Sequence, residues 1–117
     1  MNNELDLSYL EEVTGGSSEM IVEMLQLFVN DTPDQLSNIE QNVKEGDWDA
    51  VRAEAHKLKP TFQYVGMDDT HMLVAELETK ARNREQIERM PELVDSIKRN
   101  FNEALTSFEI KIKELSS

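Results

Sequence analysis

Cysteine is absent from the 117 residues, which removes disulfides, thiolate nucleophiles and cysteine metal sites together. Glycine and proline are scarce, at four and three, so the chain has few points at which a regular element must break. Basic residues number half the acidic ones, 12 against 24, leaving a formal charge of −12. That balance argues against nucleic acid or anionic lipid as partners, because phosphate contacts need a basic face. No apolar run approaches the roughly 18 to 20 residues of a membrane span. The opening MNNELDLS has neither a basic nor an apolar leader segment. Together these features predict a cytoplasmic protein with no membrane partner. Glycine-rich phosphate loops, HExxH and Gly-x-Ser-x-Gly are missing too, so no ATP site or autokinase activity is expected and the chain does not read as an enzyme.

Hydrophobic periodicity is what the sequence does have. With 38% hydrophobic residues, 1–117 reads as a single domain with enough apolar surface for one core. Strand alternation and Asn-Gly or Asp-Gly hairpin turns are lacking. A short apolar lead (Leu5, Leu7, Tyr9, Leu10, Val13) stops at Gly15-Gly16, and Ser17 or Ser18 offers an N-cap. Ile21, Met24, Leu25, Phe28, Leu36, Ile39 and Val43 then keep one face across Pro33, which predicts a long helix kinked there and closed by Lys44-Glu45-Gly46. Asp47 caps a helix whose stripe is Trp48, Val51, Ala55, Leu58 and Phe62, at steps of 3, 4, 3 and 4. Trp48 reads as a core anchor.

After Gly66, Asp68 or Asp69 opens a helix carrying Met72, Leu73, Leu77 and Ala81. The last helix starts between Arg84 and Pro91, reaches about Leu115, and presents Ile87, Met90, Val94, Ile97, Phe101, Leu105, Phe108, Ile112 and Leu115. Short connections between such helices predict an all-α fold, an antiparallel four-helix bundle with a short extra N-terminal helix.

Chemistry concentrates on the third of these segments. At about 100° per residue, Arg52, His56, Lys59 and Gln63 form a second stripe roughly 90° from the buried one. The window 52–59 holds Arg52, Lys57 and Lys59 against one acid, Glu54, in a chain that is otherwise strongly acidic. A neutral imidazole is a nucleophile near pH 7. A phosphoryl group on it would bring roughly −1.5 to −2 charges, which a lysine one turn away can meet. Spacing alone also fits an ordinary exposed histidine among unrelated lysines. His71, in Asp68-Asp69-Thr70-His71, is the nearest approach to a Glu-x-x-His metal motif, but it occurs once and with the shorter acid. It reads as a surface or boundary residue, and no metal site is expected.

The segment Ala55-His56-Lys57-Leu58-Lys59-Pro60-Thr61-Phe62, with Val65-Gly66 after it, resembles the signature of histidine-containing phosphotransfer (HPt) domains of bacterial two-component phosphorelays. Glu45-Gly46-Asp47-Trp48 and Leu77-Glu78 extend the resemblance over most of the chain. It implies a phosphorelay intermediate that accepts a phosphoryl group on His56 from a receiver-domain aspartate and passes it to another receiver. His56 is then the phosphoacceptor and Lys59 the residue that steadies the phosphoryl group. Arg52, Lys57, Gln63, Pro60 and Gly66 belong to the partner-facing surface. The implied partners are response-regulator receiver domains and a hybrid histidine kinase, the implied state is a monomer, and no cofactor is needed beyond Mg²⁺ on the receiver. The alternative is a helical adaptor of the same fold that binds a signalling partner without being phosphorylated.

Two positions depart from the family pattern. Pro60 stands where glycine is usual; lacking an N–H, it predicts a mild kink after His56 and a freed His56 carbonyl. Glu78 falls where some members carry a neutral polar residue facing the histidine. A carboxylate there would repel phosphate, and Glu78 is not assigned to the site.

Overall fold

The computed structural model describes residues 6–117; Leu5, first of the apolar lead, lies outside the described residues. The chain forms α1 (Ser8–Thr14), α2 (Ser18–Glu45), α3 (Trp48–Tyr64) and α4 (Asp68–Asn83), then a 3₁₀ turn (Ile87–Arg89) leading into α5 (Met90–Ser116). This is an all-α antiparallel four-helix bundle, α2 to α5, with α1 as the short extra helix. Neighbours in the bundle are α2 with α3, α3 with α4, α4 with α5, and α5 back against α2.

The boundaries follow from local chemistry. Ser17 caps α2 by accepting from Met20 N at 3.2 Å, and Asp47 caps α3 by accepting from Ala50 N at 3.2 Å. Pro33 does not divide α2, which runs 28 residues; at about 1.5 Å per residue that is roughly 42 Å, close to the 45 Å long axis of the molecule. α3 likewise continues as helix through Pro60 to Tyr64. Gly66 follows with φ +81°, and a Cβ there would run into the backbone carbonyl of Asp6. Glycine therefore lets the N-terminal segment lie directly over the end of the α3 helix.

The core is centred on Phe28, whose ring meets Phe62, Phe101 and Phe108 edge-on at centroid distances of 5.6, 5.3 and 5.1 Å. Val51, Ala55, Leu58 and Phe62 are buried as their spacing predicts, with Trp48 packed at the margin. One register differs from the sequence reading. On α4 the buried residues are Thr70, Val74, Leu77, Glu78 and Ala81, whereas Met72 is 68% exposed. Hydropathy drew the stripe through Met72; the bundle rotates α4 so that Thr70, bonded by Asn100 Nδ2 at 3.2 Å, takes the inner position.

Candidate functional site

The α3–α4 seam brings the site together. Burial of Val51, Ala55, Leu58 and Phe62 turns the opposite margin of α3 outward, so the His56 side chain is 67% exposed although its helix is clamped. The α4 register places Glu78 beneath it with only 5% of its side chain exposed. His56 Nδ1 lies 2.8 Å from Glu78 Oε2. The other carboxylate oxygen, Oε1, is 2.7 Å from Lys59 Nζ, and Arg82 Nη2, one turn along α4, is 3.7 Å from Oε2.

An ionised carboxylate only accepts hydrogen bonds, so Nδ1 carries the proton and donates it, and in the neutral ring the lone pair is then on Nε2. The charge state of Glu78 supports this assignment. Burial pushes its carboxyl up, but the hydrogen bonds and charges of Lys59 and His56 outweigh burial and hold it below the usual carboxylate range. Glu40 is lowered as well, chiefly by the hydrogen bond from Lys98 at 3.0 Å.

A carboxyl with a lowered folded-state pKa stabilises the fold above its ordinary value near 4.5, and that contribution is lost as pH falls through the folded value. The melting temperature should therefore fall between about pH 5 and pH 3, and less steeply in Glu78→Gln. Protonation of surface acids relieves the −12 self-repulsion in both proteins alike. The difference between two pH-melting series thus isolates Glu78, and superimposable series would refute its contribution.

The sequence-derived residues divide into two groups. His56 and Lys59 meet through Glu78. Lys57 is turned to Glu54 at 3.7 Å, and Arg52 and Gln63 make no hydrogen bond or ion pair with His56 among the described residues. Pro60 is half-buried one turn beyond His56, and Gly66 closes the helix end. His71, a boundary residue as expected, has its Nδ1 2.9 Å from the Lys59 carbonyl and ties α4 to the backbone of that lysine. Glu78 and Arg82 are the two site residues that periodicity did not supply. Among the described residues no cluster of histidine and carboxylates has the form of a metal site, and no helix is long and apolar enough to cross a membrane.

A model of the Hpt domain matches residues 23–109, a span that contains the whole of this site. The chain belongs to the Hpt domain family. Its role is therefore phosphotransfer within a phosphorelay. The fold agrees with solved Hpt structures: the chain superimposes on histidine-containing phosphotransfer protein B of Pseudomonas aeruginosa PAO1 with a TM-score of 0.84 at 25% identity, covering 94% of this chain and 95% of that one. It also superimposes on the HPT domain of a sensor hybrid histidine kinase from Shewanella, with a TM-score of 0.81 at 17% identity and 98% of each chain covered. No curated protein matches the sequence. As an Hpt domain the chain is a phosphoryl carrier, and receiver domains are the class of partner the family serves.

Proposed function

We propose that His56 is the phosphoacceptor and that Nε2 is the atom that carries the phosphoryl group. The observation that carries this reading is the Nδ1 contact to buried Glu78: it engages one ring nitrogen and leaves the other exposed on the surface of a rigid helix. Nε2 attacks the phosphorus of a receiver's aspartyl phosphate in line, the P–O bond breaks toward the departing carboxylate, and a second receiver takes the group by the reverse step. With no phosphate loop in the chain, the receiver supplies both the phosphoryl group and its Mg²⁺. Catalysis here is positioning and charge stabilisation. Lys59, held by the other oxygen of the carboxylate that engages the ring, would meet the phosphoryl oxygens, and Arg82 adds a second positive charge from α4.

The receiver docks around this strip. Tyr9, stacked on Tyr64 at 5.1 Å, and exposed Leu27, which lines a groove together with Tyr64, give an apolar surface at the C-terminal end of the histidine helix. Leu7 and Leu10 of the same lead segment are buried and belong to the core instead.

The test is transfer from a phosphorylated receiver domain, with the product mapped by mass spectrometry and ³¹P NMR. Acid-labile, alkali-stable phosphate on Nε2 of His56 is expected, and label on another residue would overturn the reading. Lys59→Met should slow loading about 10-fold, the size of one charge-assisted contact of roughly 1.5 kcal/mol. An unchanged rate would remove Lys59 from the site.

A further inference from the structure

A carboxylate under a phosphate-carrying ring looks counterproductive, and the charge count shows what it does. With its ring in the neutral form that a nucleophile requires, His56 shares the cluster with a negative Glu78 and two cations, Lys59 and Arg82, for a net single positive charge. The phosphoryl group brings about two negative charges. If the ring keeps its Nδ1 proton, and so becomes positively charged, the cluster is neutral; if the ring loses it, the cluster is left with one uncompensated negative charge against a buried carboxylate. With a neutral residue at position 78 the balance reverses, since the deprotonated phospho-ring is then the neutral arrangement.

Resting on the assignment of His56 as phosphoacceptor, we propose that Glu78 holds the Nδ1 proton in place through both halves of the relay, so that His56 always releases its phosphoryl group as a neutral imidazole. On loading, the Nε2 lone pair forms the N–P bond, the P–O bond breaks toward the donor aspartate, and the ring takes up the positive charge while its proton stays between Nδ1 and Glu78. On unloading, an acceptor carboxylate oxygen attacks phosphorus, the N–P electron pair returns to Nε2, and the ring is again the Nδ1–H tautomer. No proton enters or leaves in either direction. A phospho-ring without that proton would have to depart as an imidazolide anion, a far poorer leaving group.

The other charged groups do not offer an alternative proton holder. On α3, Arg52 is cationic and Lys57 is turned to Glu54; on α4, Lys80 is paired with Glu76 and His71 is engaged with the Lys59 carbonyl. On α2, Asp31 lies in the groove beside Thr61 and Tyr64, more than a turn beyond His56.

Glu78→Gln retains an oxygen that can accept from Nδ1 and removes only the charge. Wild type and variant, each loaded from a phosphorylated receiver and purified, are mixed with fresh receiver between pH 6.5 and 8.5. The ratio of the two transfer rates cancels the receiver's own pH dependence. That ratio should rise with pH toward about tenfold per unit, the dependence of a step that needs one proton. Phospho-wild-type should also hydrolyse faster than the variant at pH 8.5. A ratio independent of pH would refute the proposal. So would ¹⁵N NMR of loaded wild type at pH 8.5 showing Nδ1 without its proton, a result that stands even if the variant folds poorly. Failure of wild type to load on His56 would instead overturn the phosphoacceptor assignment, and this proposal with it.

Discussion

His56→Gln should carry no phosphoryl group from any receiver that loads the wild type, a loss limited only by the sensitivity of the label. Glutamine keeps the length and a hydrogen-bond donor toward Glu78, but its amide nitrogen has no basic lone pair with which to form an N–P bond. The fold should be spared. The histidine side chain is two-thirds solvent-exposed, at 67%, and the Glu78 carboxylate beneath it retains Lys59 and Arg82. Melting within a few degrees of wild type, together with complete absence of label, is the expected pair of results. Label persisting on the variant would move the acceptor elsewhere, and His71 would be the next residue to substitute. Loss of both label and fold would show that the Glu78 contact is structural as well as chemical.

How much of this site the sequence discloses depends on which helix is read. On α3 the steps of 3 and 4 through Val51, Ala55, Leu58 and Phe62 set the buried face without ambiguity, so His56 and Lys59 fall on the exposed margin by arithmetic. On α2 the same arithmetic survives Pro33 because Phe28, Leu36 and Ile39 keep one face on either side of it. On α4 it misleads. Met72 outranks Thr70 on any hydropathy scale, yet Thr70 is inside with a hydrogen-bond partner while Met72 is in solvent. Rotating the stripe to Thr70, Val74, Leu77 and Ala81, at steps of 4, 3 and 4, brings Glu78 to the inner margin. A charge seldom occupies such a position unless partners satisfy it, and here the partners come from α3, where no pattern within α4 can reveal them. Arg82 is legible only as an i,i+4 companion of Glu78, the commonest kind of surface pair. The proposed phosphoacceptor is thus readable from one helix, whereas its electrostatic setting requires two.

Phe62→Ala should produce the opposite dissociation: large loss of stability with the chemistry intact in the molecules that remain folded. Phe62 has no exposed surface, and its ring meets Phe28 edge-on at 85° and 5.6 Å, at the point where α2 and α3 join the aromatic centre completed by Phe101 and Phe108 from α5. Truncating a buried phenylalanine costs about 3 to 5 kcal/mol, from lost transfer energy and the cavity left behind. Against the roughly 5 to 15 kcal/mol that holds a domain of this size together, that is a large share. A melting temperature lower by roughly 10 to 25 °C is expected, with the urea midpoint reduced and its slope unchanged. Yet the residue points away from the strip that carries His56, Lys59 and Glu78, and Leu58, Val51 and Ala55 still seat α3 on the bundle. Well below the new melting temperature, the phosphoryl-transfer rate per folded molecule should stay within about twofold of wild type, because no group near the reacting atoms has changed. A variant that melts low and also transfers slowly when fully folded would show that the aromatic centre sets the pitch of α3 and, through it, the distance between His56 and the carboxylate beneath. A variant that melts as the wild type does would mean that the rings of α2 and α5 collapse into the vacated space.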